Sequence, residues 1–177
     1  MIKKSMLIVA LAAGSSLFAQ QGASEVDALK SAYATVKGEL QKAAEAMPED
    51  QYSFKPVPAI RSFGEVIAHV TDVQGRFCSM AAGSEAPPSA GSKTAKADLV
   101  AALNHSFEIC DGVFENLKES DSTKTVKMGR MGERNEFGLL WTFIIAHSNE
   151  QYGYAAVYLR LKGVVPPSSA GRGMRGR

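Results

Sequence analysis

Two histidines interrupt apolar helical patterns in this sequence. His69 lies between Val66 and Val73, and His147 follows Ile144 by three residues. Residues at three- and four-residue spacing share one face of an α-helix, so both imidazoles are predicted to face a protein interior. Neutral imidazoles held on rigid helices are common ligands for zinc, nickel or iron. A buried histidine that bonds a neighbouring hydroxyl or carboxylate, with no metal, fits the same pattern.

Three further side chains could complete such a metal site. Gln151 follows His147 by one helical turn, but its amide oxygen is a weaker ligand for transition metals than an imidazole nitrogen. Glu150, three residues after His147, and Glu65, one turn before His69, could each supply a carboxylate to a set of two histidines and one carboxylate. Glutamates on helix faces are more often solvent-exposed than ligands, so this alternative stays open.

Four segments carry these residues, and each repeats apolar residues at three- and four-residue spacing. The pattern predicts amphipathic helices over residues 24–47, 62–82, 94–117 and 137–161. A polar stretch at 119–136 leaves room for only one short extended piece, at 125–128. The fold class is therefore predicted to be all-α, with a four-helix bundle as the default architecture.

Local signals mark the second helix and the loop after it. Ser62 and Glu65 form the S-x-x-E pattern of a capping box, which predicts that a helix begins there. Glycines and prolines then break the helix and predict a long crossover loop before the third helix: Gly83, Pro87, Pro88 and Gly91. On the third helix His105 falls on the polar face and is predicted to be solvated. Four aromatic residues of the last helix are predicted to pack inside the bundle: Trp141, Tyr152, Tyr154 and Tyr158.

The N-terminal residues are typical of an export signal. Lys3 and Lys4 precede an apolar run from Met6 to Phe18, and Ala19 offers a cleavage point. We predict a signal peptide at 1–19, a domain at 20–169 and a disordered Gly/Arg-rich tail at 170–177, and thus a periplasmic or secreted protein. The alternative is an uncleaved membrane anchor, because Leu17 is a poor residue three positions before the cleavage point.

The charge balance argues against nucleic acid as a partner. Of the 20 basic residues, Lys3 and Lys4 lie in the predicted signal peptide, so the remaining 18 match the 18 acidic residues. Three of those 18 are arginines of the predicted tail, which leaves the domain itself acidic. No basic surface for nucleic acid is predicted, and no membrane association is predicted once the signal is cleaved.

Two segments resemble the exported branch of the DinB-like superfamily: residues 54–78, FKPVPAIRSFGEVIAHVTDVQGRFC, and residues 147–169, HSNEQYGYAAVYLRLKGVVPPSS. The resemblance implies a four-helix bundle wound up-down-down-up, often a homodimer, with one divalent metal on three histidines. His69 matches the first of these histidines and His147 the second. Gln151 occupies the position of the third, so the implied site is degenerate.

The resemblance also bears on the cysteines and on function. It implies that Cys78 and Cys110 pair across the second and third helices. An exported protein reaches an oxidising compartment, which permits such a disulfide. The alternative is two free buried thiols. Two functional classes are expected. One is a metal-dependent hydrolase or transferase with a two-histidine site. The other is a non-catalytic exported bundle that binds an unknown small ligand or a protein partner.

Overall fold

Helices account for most of the structure, a computed structural model that describes residues 24–171. The first three helices are α1 (Glu25–Ala46), α2 (Phe63–Ala82) and α3 (Lys96–Asn116). The fourth consists of three consecutive parts: α4 (Glu136–Leu139), a π-helical segment (Leu140–Ala146) and α5 (His147–Leu161). The predicted bounds of all four helices agree with these to within two residues. The predicted signal peptide and residues 172–177 of the predicted tail lie outside the described residues.

Side-chain caps fix where the first two helices begin. Ser24 Oγ accepts a hydrogen bond from the amide of Asp27 at 3.1 Å, at the start of α1. The predicted capping box opens α2: Ser62 Oγ accepts from the amide of Glu65 at 3.2 Å, and the Glu65 carboxylate accepts from the amide of Ser62 at 2.6 Å. Gly83 ends α2 in the left-handed conformation, with φ 68°. Glycine adopts that conformation at little cost, so the chain can leave the helix there.

A short antiparallel hairpin separates α3 from the fourth helix. Its strands are β1 (Thr125–Lys127) and β2 (Glu133–Asn135), with Val126 opposite Arg134. The predicted extended piece at 125–128 is therefore confirmed, but its partner strand was not predicted. The second strand is polar and exposed along its length. It therefore lacks the alternation of apolar and polar residues from which a strand is predicted.

Helices α2 and α3 run parallel. Near their first turns, the Cβ position of Gly64 lies 3.3 Å from Leu99 Cδ1. Near their last turns, Cys78 and Cys110 form a disulfide with 5.1 Å between their Cα atoms. Contacts that keep the same order along both helices require the two helices to point the same way.

Two further neighbouring pairs run antiparallel. Between α1 and α3, Tyr33 Oη donates to Asp111 Oδ1 at 2.7 Å, whereas Gln41 Nε2 donates to Asn104 Oδ1 at 2.9 Å, so the order of contacts reverses. Between α2 and α5 the order also reverses. Tyr158 Oη donates to the carbonyl of Arg61 at the beginning of α2, and Gln74 Nε2 donates to Ser148 Oγ further along it.

The loop between α2 and α3 follows the outside of α2 back toward its beginning, as two parallel helices require. Pro87 packs so closely on Gly75 that a Cβ there would lie 2.7 Å from Pro87 Cγ. One turn earlier on α2, Asp72 accepts hydrogen bonds from Ser89 Oγ and from the amide of Ala90, both at 2.6 Å. The predicted crossover loop is therefore bound to α2 rather than free in solvent.

The core is built from the apolar stripes that the spacing predicts. The apolar stripes of α1 and α3 are buried, and the disulfide joins α2 to α3 inside this core. The bond agrees with the pairing that the family resemblance implied, and it is compatible with an oxidising compartment. Among residues 24–171, no helix is both long and apolar enough to cross a lipid bilayer.

Two of the four aromatic predictions on the last helix are wrong. Trp141 is 56% exposed and Tyr154 is 47% exposed, whereas Tyr152 and Tyr158 are buried. Trp141 belongs to the π-helical segment, where the usual helical spacing does not apply. Tyr154 instead turns its hydroxyl to Glu150, donating to it at 3.0 Å.

Candidate functional site

Helix α2 places His69 on the side that faces α5. The capping box fixes the first turn of α2, and His69 follows Glu65 by one turn. Its neighbours Val66 and Val70 are fully packed in the core, while the ring of His69 itself is half-buried at the core boundary. His69 therefore faces α5, as the spacing predicts, and is only partly buried.

The π-helical segment sets the position of His147, the first residue of α5. The amide of His147 donates to the carbonyl of Thr142, five residues earlier. This hydrogen-bonding pattern takes about one residue more per turn than an α-helix, and such segments are frequent at functional sites. The segment therefore changes which face of the fourth helix His147 occupies relative to α4.

The two imidazoles meet. His69 Nε2 and His147 Nε2 are 3.1 Å apart, and the rings are nearly perpendicular, with 73° between their planes and 5.0 Å between their centres. At this distance the nitrogens can share one hydrogen bond, or both can bind one cation. Two nitrogens on a zinc ion are about 3.4 Å apart at the tetrahedral angle, for bonds of about 2.1 Å.

Burial favours the neutral form of both rings. It is the largest cause that lowers the pKa of His69, and the positive charge of Arg61 lowers it further. Burial also lowers the pKa of His147, followed by the proximity of His69. Glu150 acts in the opposite direction on the pKa of both histidines. Neutral imidazole is the form that accepts a hydrogen bond or binds a metal.

Gln151 brings an amide to the same place. Its side chain is only 3% exposed, and its Oε1 atom has no hydrogen-bond partner within residues 24–171. His147 Nδ1 is likewise buried without a partner in that part of the chain. A buried polar atom without a partner costs free energy, on the order of 1–3 kcal/mol, so such atoms commonly mark a place where a ligand or ion binds.

The two carboxylates proposed from the sequence lie in different places. Glu65 is occupied by the capping box and by Lys55, whose Nζ is 2.9 Å from its carboxylate. Glu150 is exposed and accepts no hydrogen bond from either histidine within the described residues, but its Oε2 accepts one from Gln151 Nε2 at 3.5 Å. Within the described chain, no group of three or more His, Cys, Asp and Glu side chains is close enough to hold a metal ion. Gln151, one helical turn after His147, adds an amide to the space that His69 lines, and no third acidic, cysteine or histidine side chain of the described residues joins the pair.

A cleft of about 1020 Å³ opens beside the histidine pair. His69 and Gln151 line it from two different helices, and Arg61, Tyr154 and Tyr158 line it as well. The sequence did not identify Arg61 as a site residue. The only sequence signal was its position directly before the capping box, and that position does not predict which space the side chain lines.

A buried polar group adjacent to the site was also missed. Gln74 and Ser148 are both fully buried, and Gln74 Nε2 donates to Ser148 Oγ at 2.9 Å. Ser106 Oγ lies 3.4 Å from Gln74 Oε1 and so extends the group into α3. Because Ser148 directly follows His147, this hydrogen bond holds the first turn of α5 against α2.

The third histidine takes no part in the site. His105 is exposed on α3, and its Nδ1 lies 3.2 Å from the Glu108 carboxylate one turn away. This confirms the prediction that His105 is a solvated side chain on a polar helix face.

The family assignment follows from sequence comparison. The family model of the DinB superfamily matches residues 32–155, which include both histidines, the third position at Gln151 and the disulfide. None of the curated proteins matches the sequence. A match over more than half of the chain assigns the family, and the chain therefore belongs to the DinB superfamily.

Proposed function

We propose that this chain is an exported protein of the DinB superfamily that holds one divalent metal ion, of zinc, nickel or iron, between His69 and His147. Gln151 serves as a weak third ligand in this proposal. The reaction class is hydrolysis or group transfer on a small molecule bound in the cleft beside the histidines.

The observation that carries the metal proposal is the approach of the two imidazole nitrogens, 3.1 Å apart at the cleft. That separation lies between the values for 90° and tetrahedral angles at a zinc ion, about 3.0 and 3.4 Å. The amide oxygen of Gln151, buried without a partner in the described residues, is a further donor atom on the residue one helical turn after His147, and Gln151 lines the same cleft as His69. These three atoms suit a divalent cation, with the amide as the weakest of the set.

Each residue has a defined part in the proposed chemistry. His69 and His147 hold the cation from two different helices, and Gln74 fixes the start of α5 through Ser148. Glu150 supplies negative charge near both rings. A divalent metal, when bound, lowers the pKa of a water or thiol that binds it and so supplies a nucleophile near neutral pH.

Export and the bundle winding belong to the same proposal. The disulfide between Cys78 and Cys110 supports export, since such bonds persist in oxidising compartments. The parallel course of α2 and α3, with α1 and α5 antiparallel to them, supports an up-down-down-up four-helix bundle. The mass of the protein recovered from the producing cells tests export. Loss of residues 1–19 is expected, and retention of Met1 contradicts it.

Metal analysis of the purified protein tests the site. We expect about one equivalent of divalent metal after purification without chelator, and near-complete loss in a His69→Ala/His147→Ala double variant. Gln151→His replaces the weak amide with an imidazole and is expected to tighten metal binding by on the order of tenfold or more. A native protein without metal, combined with a metal-bound Gln151→His variant, contradicts metal-dependent catalysis.

A second function is favoured by the amide at the third position. Since glutamine is a poor ligand for transition metals, the cleft could serve a non-catalytic bundle that binds a small ligand or a partner protein. In that case the histidines form only the hydrogen-bonded pair, and removing metal leaves ligand binding unchanged. Binding measured with and without chelator therefore separates the two functions.

A further inference from the structure

Within residues 24–171, the cleft beside the histidine pair combines one unpaired cation with an apolar wall. We infer that it binds a small molecule with an apolar body and one anionic group, such as a carboxylate, and that Arg61 binds the anionic group. The inference rests on the proposed function in using the same cleft, but it does not require a metal ion.

Arg61 is the free positive charge of the cleft in the part of the chain that the structure describes. Its side chain is exposed and makes no hydrogen bond or ion pair within residues 24–171, whereas its backbone carbonyl accepts a 2.7 Å hydrogen bond from Tyr158 Oη. The residue is thus anchored by its main chain while its guanidinium stays available. Its positive charge lowers the pKa of His69 and of His147, so the guanidinium lies close enough to the two imidazoles to affect them electrostatically.

The remaining charged side chains of the cleft already have partners. Lys55 Nζ lies 2.9 Å from the Glu65 carboxylate, so these two charges compensate each other. Asp72 accepts hydrogen bonds from the crossover loop through both carboxylate oxygens. Among the described residues, Arg61 is therefore the charged group of the cleft that is left to form an ion pair with a ligand. Arginine, with its planar set of donors, binds carboxylate and phosphate groups through two parallel hydrogen bonds.

Part of the cleft wall is apolar. Eight large hydrophobic side chains are exposed in residues 24–171, and four of them line this cleft, each between 40 and 57% exposed: Ile60, Tyr154, Val157 and Leu161. Three of these lie on one face of α5 at three- and four-residue spacing. Exposed apolar side chains gathered in one place commonly mark a binding site. The volume of about 1020 Å³ is large enough for a small organic molecule.

Gln151 adds a polar contact to the cleft. Gln151 Oε1 is buried without a partner in the described chain and lines the same cleft. A bound molecule that places a hydroxyl or amide N–H there would satisfy this oxygen. The expected ligand is thus apolar along most of its length, anionic near Arg61, and polar where it meets Gln151.

Calorimetric titration with a matched pair of probes tests the inference. The probes are 4-phenylbutyrate and its neutral analogue 4-phenylbutanamide, which differ in the charge of one end. We expect the wild-type protein to bind the acid at least tenfold more tightly than the amide. Arg61→Gln should remove most of this difference by weakening the acid alone. Arg76→Gln, which removes an exposed arginine of α2 outside this cleft, should leave both affinities unchanged.

Each titration is repeated on chelator-treated and on zinc-loaded protein. A preference for the acid that depends on Arg61 in the chelator-treated protein supports the inference whatever the metal content, so the metal proposal can fail separately. A preference that appears only with zinc, and persists in Arg61→Gln, assigns the anion to the metal and overturns the role of Arg61. Equal affinities for acid and amide, or an equal loss in Arg76→Gln, overturn the inference as well.

Discussion

His69 and His147 are separated by 78 positions in the sequence, yet their Nε2 atoms lie 3.1 Å apart. The contact joins α2 to α5 at the edge of the core, where both rings are partly buried. Neither helix alone could form it, and each contributes a single nitrogen. The packing of α2 against α5 therefore creates a pair of nitrogen atoms that can share a hydrogen bond or bind a cation.

Replacing one histidine of the pair should remove most metal binding. We expect His69→Ala to lower the affinity for zinc by on the order of tenfold or more, because one imidazole and one weak amide remain. His105→Ala is the matched control, since His105 is exposed and bonds only Glu108 in the described chain. Zinc affinity is measured by competition with a chromophoric chelator. Equal loss in both variants would indicate nonspecific binding and contradict the site.

The disulfide should contribute substantially to stability. Cys78 and Cys110 are 32 positions apart, and a bond closing such a loop contributes about 3–4 kcal/mol by the chain-entropy model. A Cys78→Ala/Cys110→Ala double variant is expected to lose about this much free energy of unfolding in urea denaturation. Reduction of the wild-type protein should cause a similar loss. A reduced protein that unfolds at the same urea concentration as the oxidised one contradicts this prediction.

Glu65 should make stability depend on pH in the acid range. Hydrogen bonding by the Ser62 amide and then by Lys55 lowers the pKa of Glu65 from 4.5 to about 2. A carboxyl group whose pKa is depressed by folding stabilises the protein above its unfolded pKa. That contribution is lost as the pH falls from about 4.5 toward about 2.

Glu65→Gln keeps an acceptor for the Ser62 amide but cannot ionise. The wild-type protein should therefore be the more stable of the two above about pH 4.5, and the difference should shrink as the pH falls toward about 2. Thermal melts between pH 2 and pH 7 measure it. Glu133→Gln removes an exposed carboxylate with no hydrogen bond in residues 24–171 and serves as the control. A difference that does not change with pH contradicts the assigned role.

Two glycines should respond to alanine in opposite directions. At Gly75 a Cβ would lie 2.7 Å from Pro87 Cγ and 3.2 Å from Pro87 Cδ, so Gly75→Ala pushes the crossover loop off α2. Crowding of this kind costs about 1–3 kcal/mol. Gly112 on α3 has no atom within 4 Å of that position, so Gly112→Ala should stabilise by about 0.5–1 kcal/mol. Urea denaturation measures both, and a stabilised Gly75→Ala variant would show that the loop is not held against α2.

The sequence alone determined the four helices and, apart from Trp141 and Tyr154, the faces that they bury. Periodic apolar residues predicted four helices close to their observed bounds, because burial of one stripe imposes a 3.6-residue period on the chain. Capping at Ser62 and the end of α2 at Gly83 were readable because these effects are local. The same periodicity placed His69, His147 and Gln151 on inward faces.

Only the tertiary structure decided what those side chains meet. Spacing along one helix reports a face but not the distance to another helix, so the 3.1 Å contact of the imidazoles could not be derived from it. Glu65 was a candidate ligand by spacing, yet the capping box and Lys55 compete for its carboxylate. The π-helical segment before His147 left no signal in the apolar pattern. Its hydrogen bonds span five residues instead of four, and the spacing of apolar residues does not report that difference.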